Sequence, residues 1–72
     1  MEILAVFSSR SEAIRFAQIL EKKRIARIII STPMHLGLGC GLSVCFSSQF
    51  NQLAQNFVNM GGFNTFVGFY KR

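Results

Sequence analysis

Cys40 stands between Gly39 and Gly41, and a thiol set in flexible backbone is the group in this chain best suited to nucleophilic or carrier chemistry. Flanking glycines let the backbone approach a partner closely and let successive N–H groups form an anion-binding concavity. Such a setting favours the thiolate, the form that attacks sulfur and carries it. The same residues also read as a glycine-rich turn around an unreactive cysteine, and spacing alone leaves both readings open. Cys45, in an alternating apolar stretch, reads as an inert core thiol. If that stretch is extended, the two cysteines are about 16 Å apart at ~3.3 Å per residue and point to opposite faces, so no internal bridge is expected. Free thiols suit a reducing cytoplasm.

His35, Cys40 and Cys45 fall at five-residue intervals. A structural zinc site wants four ligands in closely spaced pairs, and the chain has no such pair, so no metal is expected. His35 reads as an exposed loop residue, with tuning of the thiol's acidity as its second reading. The three glutamates all lie in the first 21 positions, which leaves no carboxylate pair to flank a substrate. Gly37-Leu38-Gly39-Cys40-Gly41 lacks the lysine of a phosphate loop and opens no helix. Nothing calls for a cofactor.

The elements that must position these residues follow from periodicity. Met1–Phe7 is apolar on both faces, as a central strand is. Ser9-Arg10-Ser11-Glu12 is a capping box, and Ala13, Phe16, Ala17 and Leu20 follow at helical spacing to about Lys23. The β-branched run Ile25–Ser31 predicts a second strand. Pro33 breaks it, a glycine-rich loop follows, and Leu42–Phe46 alternates as a third strand. Ser47 or Ser48 caps a second helix striped by Phe50, Leu53, Ala54, Phe57 and Val58, which Gly61-Gly62 ends. Phe63–Tyr70 is the fourth strand. The order βαββαβ predicts an α+β, ferredoxin-like domain over 1–72, with two helices on one face of a four-stranded antiparallel sheet. Its other face is expected to be open. Ile29, Phe66 and Tyr70 are the candidates for an apolar interface there, through which the chain would form a homo-oligomer.

Composition bounds the rest. At 72 residues, 50% hydrophobic and 15% charged, the chain is too short to wall a deep catalytic cleft, so no enzyme is expected. It is too apolar to be a disordered tail. The net charge of +5 is not spread evenly: residues 28–70 contain no Asp, Glu, Lys or Arg. Lys22-Lys23-Arg24 falls where a helix should end, and cations there complement the helix dipole. Gly62-Phe63-Asn64-Thr65-Phe66-Val67-Gly68-Phe69 loosely follows an aromatic RNA-binding signature, but no basic residue precedes it, so nucleic acid is not the expected partner. No stretch approaches the roughly 18 uninterrupted apolar residues of a membrane span.

From Phe7-Ser8-Ser9 entering the first helix, through Pro33, to Cys40-Gly41-Leu42 entering a strand, the chain resembles a family of small bacterial selenium/sulfur carrier-like proteins. The likeness spans nearly the whole chain; its most specific part is Pro33, then Cys40-Gly41, then the apolar strand to Phe46. It implies that Cys40 holds the sulfur or selenium atom, with a donor such as a cysteine desulfurase and an acceptor enzyme as partners. Gly39, Gly41 and His35 are the expected binding residues around it. Two departures stand out. Met34, followed by His35, occupies the place where family members often carry a basic residue after the proline, and Gly37-Leu38-Gly39 replaces small polar residues. A non-catalytic interaction or ligand-binding module that self-associates through the open sheet face is the alternative.

Overall fold

The computed structural model describes residues 1–39 and 41–72. Strand β1 (Glu2–Phe7) leads into helix α1 (Arg10–Lys22), then β2 (Arg27–Ser31), a 3₁₀ turn (Met34–Leu36) and β3 (Leu42–Ser47). A second 3₁₀ turn (Ser48–Phe50), helix α2 (Asn51–Met60) and β4 (Phe66–Lys71) complete it. The four strands form one antiparallel sheet in the order β2-β3-β1-β4, the ferredoxin-like arrangement that the sequence predicts. β1 is central, and Ile3 through Phe7 are all buried.

Helix α1 starts where the capping box places it. Ser9 is extended, and its Oγ accepts from the Glu12 N–H at 3.4 Å. The Glu12 carboxylate does not return to the Ser9 backbone. It accepts from the Asn64 N–H at 3.0 Å, the Thr65 N–H at 2.8 Å and the Thr65 hydroxyl at 2.7 Å. Thr65 Oγ1 in turn accepts from the Ser9 N–H at 3.2 Å. The box is thus closed through the approach to β4, which has amide donors of its own to satisfy.

At its other end α1 terminates with Arg24 at φ 60°. The Ile25 N–H reaches back to the Leu20 carbonyl and the Arg24 N–H to the Glu21 carbonyl, both at 2.9 Å. This is the Schellman pattern, with Ile25 and Leu20 supplying its apolar contact. Ile25 is therefore spent on the helix end, and β2 begins at Arg27 where the apolar run predicts Ile25. β4 likewise starts at Phe66, because Phe63 turns inward ahead of it. The Phe63 ring lies 5.2 Å from Phe7 and 5.8 Å from Phe16, at the centre of the helix-side core.

That core joins Ile3, Ala5, Phe7, Val44 and Phe46 of the sheet to Ala13, Phe16, Ala17 and Leu20 of α1 and Ala54 of α2. Of the α2 stripe, Phe50, Phe57 and Val58 pack on it, while Leu53 is exposed.

The second sheet face departs from expectation in three ways. It is not open: Leu4, Val6 and Cys45 are at most 2% exposed, covered by Ile30, Leu36, Leu38 and Tyr70. The loop after β2 folds back as a thin second layer. Phe66, expected on that face, lies on the helix side. A bulge makes Val6 pair with Gly68 but Phe7 with Phe66, so Val67 is skipped and the alternation inverts. Phe66 then packs 5.3 Å from Phe7 and 4.9 Å from Phe69. Ile29 also lies on the helix side, since it pairs with Val44, a helix-side core residue. Tyr70 does lie on the second face, as part of its cover. The apolar groups left exposed along β2 are Ile28 and Ile29.

Candidate functional site

Everything around the predicted thiol is set by how the β2–β3 connection leaves and re-enters the sheet. Ser31 pairs with Leu42, and the Thr32 N–H donates to the Gly41 carbonyl at 3.1 Å, so the ladder closes the base of the loop. Thr32 is buried, and its hydroxyl shares a 2.9 Å hydrogen bond with the fully buried Ser43. Pro33 starts the excursion, and the 3₁₀ turn places Met34 and His35 outward and Leu36 inward. Leu38 follows Leu36 onto the second sheet face.

Cys40 itself lies outside the described residues; its two neighbours do not. Gly39 has φ 79°, a conformation that residues with a Cβ adopt only at a cost. Gly41 sits against the end of β1, and a Cβ there would collide with the Phe7 carbonyl oxygen. The two glycines are thus required for different reasons, one by its dihedral angle and one by close approach.

Both glycines border a cleft of about 500 Å³. Ser31 and Thr32 form one wall, and Ser8 and Arg10 enter from the β1–α1 turn. Met34 and Leu42 supply its apolar lining. The β1–α1 turn is held in place by the contacts already described: the Ser8 N–H donates to the Thr65 carbonyl at 3.0 Å, and Ser9 and Glu12 both bind Thr65. Those hydrogen bonds, from Asn64 first and then Thr65, lower the Glu12 pKa from its ordinary value of 4.5. Glu12 is therefore an ionised anchor, turned away from the cleft.

His35 is exposed and is not among the residues that line the cleft. Cys45 is 2% exposed and takes a 3.6 Å hydrogen bond from the Arg72 guanidinium. Arg10 was legible in the sequence only as one of eight cations. Its arrival at the cleft follows from the β1–α1 turn and the β2–β3 loop lying at the same end of the sheet. Ser9 caps α1 as the capping box predicts, while Ser8, one residue earlier, lines the cleft.

No helix among the described residues is long and apolar enough to cross a membrane. A family model with the description "Putative Se/S carrier protein-like" matches residues 2–65. No curated protein and no solved structure matches the chain.

Proposed function

The chain belongs to the Se/S carrier protein-like family, and from that premise we propose that it carries sulfur or selenium on the Cys40 thiol. What supports the assignment of the atom to Cys40 is that both of its neighbours, Gly39 and Gly41, border a cleft walled by hydroxyl groups and one cation. The other cysteine, Cys45, is buried beneath the second layer.

The transfer is a thiol exchange. The Cys40 thiolate attacks the terminal sulfur of a donor persulfide, R–S–SH; the S–S bond of the donor breaks, and the donor leaves as R–S⁻. Cys40 is left as Cys–S–SH, which loses its proton to become the persulfide anion. With selenium the terminal atom is Se and the bond made is S–Se. No net oxidation occurs, because the zero-valent atom moves intact between two thiols. Cys40 in this reading is a stoichiometric carrier, returned to the thiol when an acceptor takes the atom, and not the centre of an enzyme. The donor is of the cysteine desulfurase class, which makes protein persulfides, and the acceptor is a second enzyme. A free thiol of this kind belongs in a reducing compartment such as the cytoplasm.

The test is incubation with a cysteine desulfurase and cysteine, followed by peptide mass spectrometry. A gain of one sulfur atom, about 32 Da, is expected on the Cys40 peptide, as for other persulfidated cysteines, and none on the Cys45 peptide. No gain on Cys40, under conditions where an established carrier thiol is loaded, would sink the reading.

A further inference from the structure

The sheet has two outer strands, and they are not equally defended. A free strand edge presents a row of unpaired amide and carbonyl groups, which soluble monomers blunt with charge, proline, a bulge or a covering segment. β4 has two of these devices, the bulge at Val67 and the cation Lys71 at its end. β2 reads Arg27-Ile28-Ile29-Ile30-Ser31 and pairs with β3 in unbroken register. Its one charge is at its first position and is spent on Glu21 at 3.2 Å.

One hydrogen bond shows which groups of β2 face outward. The Thr32 N–H donates to the Gly41 carbonyl, and in an antiparallel ladder bonded and unbonded pairs alternate. Ile30 and Ile28 therefore turn their amides and carbonyls toward β3, while Arg27, Ile29 and Ser31 turn theirs to the free edge. Among the described residues no other backbone segment bonds these outward groups. Apolar side chains flank them: Ile28, Ile29 and Ile14 of α1 are each more than two-fifths exposed. With Ala17 they line a groove of about 350 Å³ along this edge, whose charged residues, Glu21 and Arg27, neutralise each other.

We propose that a second copy of the chain occupies this edge, β2 against β2 in antiparallel pairing about a two-fold axis at Ile29. The strand is self-complementary in this register. Ile29 faces its own counterpart and Arg27 faces Ser31, so outward groups meet outward groups and each pair exchanges both of its hydrogen bonds. Ile28 meets Ile30 on the second face, an apolar cross-strand pair. Charge selects the same register. The two Arg27 side chains lie at opposite ends, about 14 Å apart along the strand and beyond the ~8 Å screening length. A parallel pairing in register would set them side by side. An extended segment of another protein needs no such symmetry, whereas a two-fold contact requires it. The contact joins two four-stranded sheets into one. It is short, so the association expected is weak, with a Kd of roughly 10–100 µM.

The experiment is sedimentation equilibrium in reducing buffer, from about 5 µM to about 1 mM, a range that brackets that affinity. The wild-type mass should rise from the 8.1 kDa of one chain toward twice that value. Ile29→Lys sets two like charges across the axis, and Ile29→Pro removes an amide that faces solvent in the single chain. Each should weaken association at least about tenfold. Ser31→Glu supplies a carboxylate opposite the second copy's Arg27 and should tighten the dimer about threefold. Circular dichroism checks folding. If Ile29→Pro unfolds, Ile29→Lys and Ser31→Glu carry the test, since both positions are exposed.

A wild-type chain that stays single at the highest concentration overturns the proposal and leaves this edge to a segment of another protein. A dimer that folded Ile29→Lys leaves intact overturns it as well, because the contact then lies elsewhere. A dimer weakened by Ser31→Glu refutes the register. None of these outcomes depends on whether Cys40 carries sulfur.

Discussion

Gly41 is fixed from two directions, by the Thr32 amide on one side and by the Phe7 carbonyl oxygen on the other. A methyl group at this position has backbone for a neighbour, and backbone cannot swing aside as a flexible side-chain tip can. Gly41→Ala is therefore expected to cost about 2 kcal/mol or more, lowering the melting temperature by roughly 10 °C in a domain of this size. Gly39→Ala meets nothing within 4 Å among the described residues and loses only about 1 kcal/mol to its left-handed backbone. Thermal unfolding of the two variants checks the order, and equal losses would show that the close approach to Phe7 is not the constraint. In the sequence both glycines looked alike, as flexible flanks of a cysteine. Their causes differ in kind: Gly39's is its own backbone angle, and Gly41's is tertiary, depending on where β1 ends. Arg10's place in the cleft lining was hidden for a similar reason, because it depends on the β1–α1 turn lying beside the β2–β3 loop, and no spacing encodes that.

Elements meet at Glu12. Its carboxylate takes hydrogen bonds from Asn64 and Thr65 and thereby joins the start of α1 to the approach to β4. These bonds favour the ionised form and depress its pKa below 4.5. A depressed carboxylate contributes stability that is present above the unfolded-state pKa and is lost as pH falls through the lower folded value. Urea denaturation of wild type and Glu12→Gln should show the wild type more stable at pH 7, with the gap narrowing below about pH 4.5 as the unfolded-state carboxylate begins to protonate. A gap that stays constant to pH 3 would mean that the charge contributes nothing. Elements were the most legible level of this chain. The capping box, the breaks at Pro33 and Gly61-Gly62, and the alternation of β3 each lie within a few residues of one another, so local physics determines them. The bulge at Val67 lay beyond that reach. Gly68 is the one local mark, since an isolated glycine inside a strand often sits at a bulge, but it does not say which residue is skipped, and strict alternation put Phe66 on the wrong face. Only the mutual packing of Phe7, Phe66 and Phe69 gives the reason.

At the scale of the molecule, the sheet is covered twice, by helices on one side and by the β2–β3 loop on the other. A bare second face was the natural expectation, since a two-helix fold offers no third layer. Leu36 and Leu38, however, lie in a loop whose composition reads simply as glycine-rich, and their burial comes from folding back onto Leu4, Val6 and Cys45. The cover is thin. Leu38→Ala is expected to cost about 1–2 kcal/mol, as truncation of a partly buried leucine does. It should also raise the alkylation rate of Cys45 about tenfold, because local opening of this layer becomes easier. Measured beside Cys40 in the same digest, an unchanged Cys45 rate would show that the loop does not guard that sulfur. On the proposed carrier function, the guarding bears on how long a cargo would survive. A persulfide within reach of a second free thiol is short-lived: that thiol attacks the inner sulfur, a disulfide forms, and the outer atom escapes as sulfide. With Cys45 roofed by two leucines and tied to Arg72, a chain loaded on Cys40 as proposed would have no resolving partner of its own. The atom would then leave only when another molecule came to collect it.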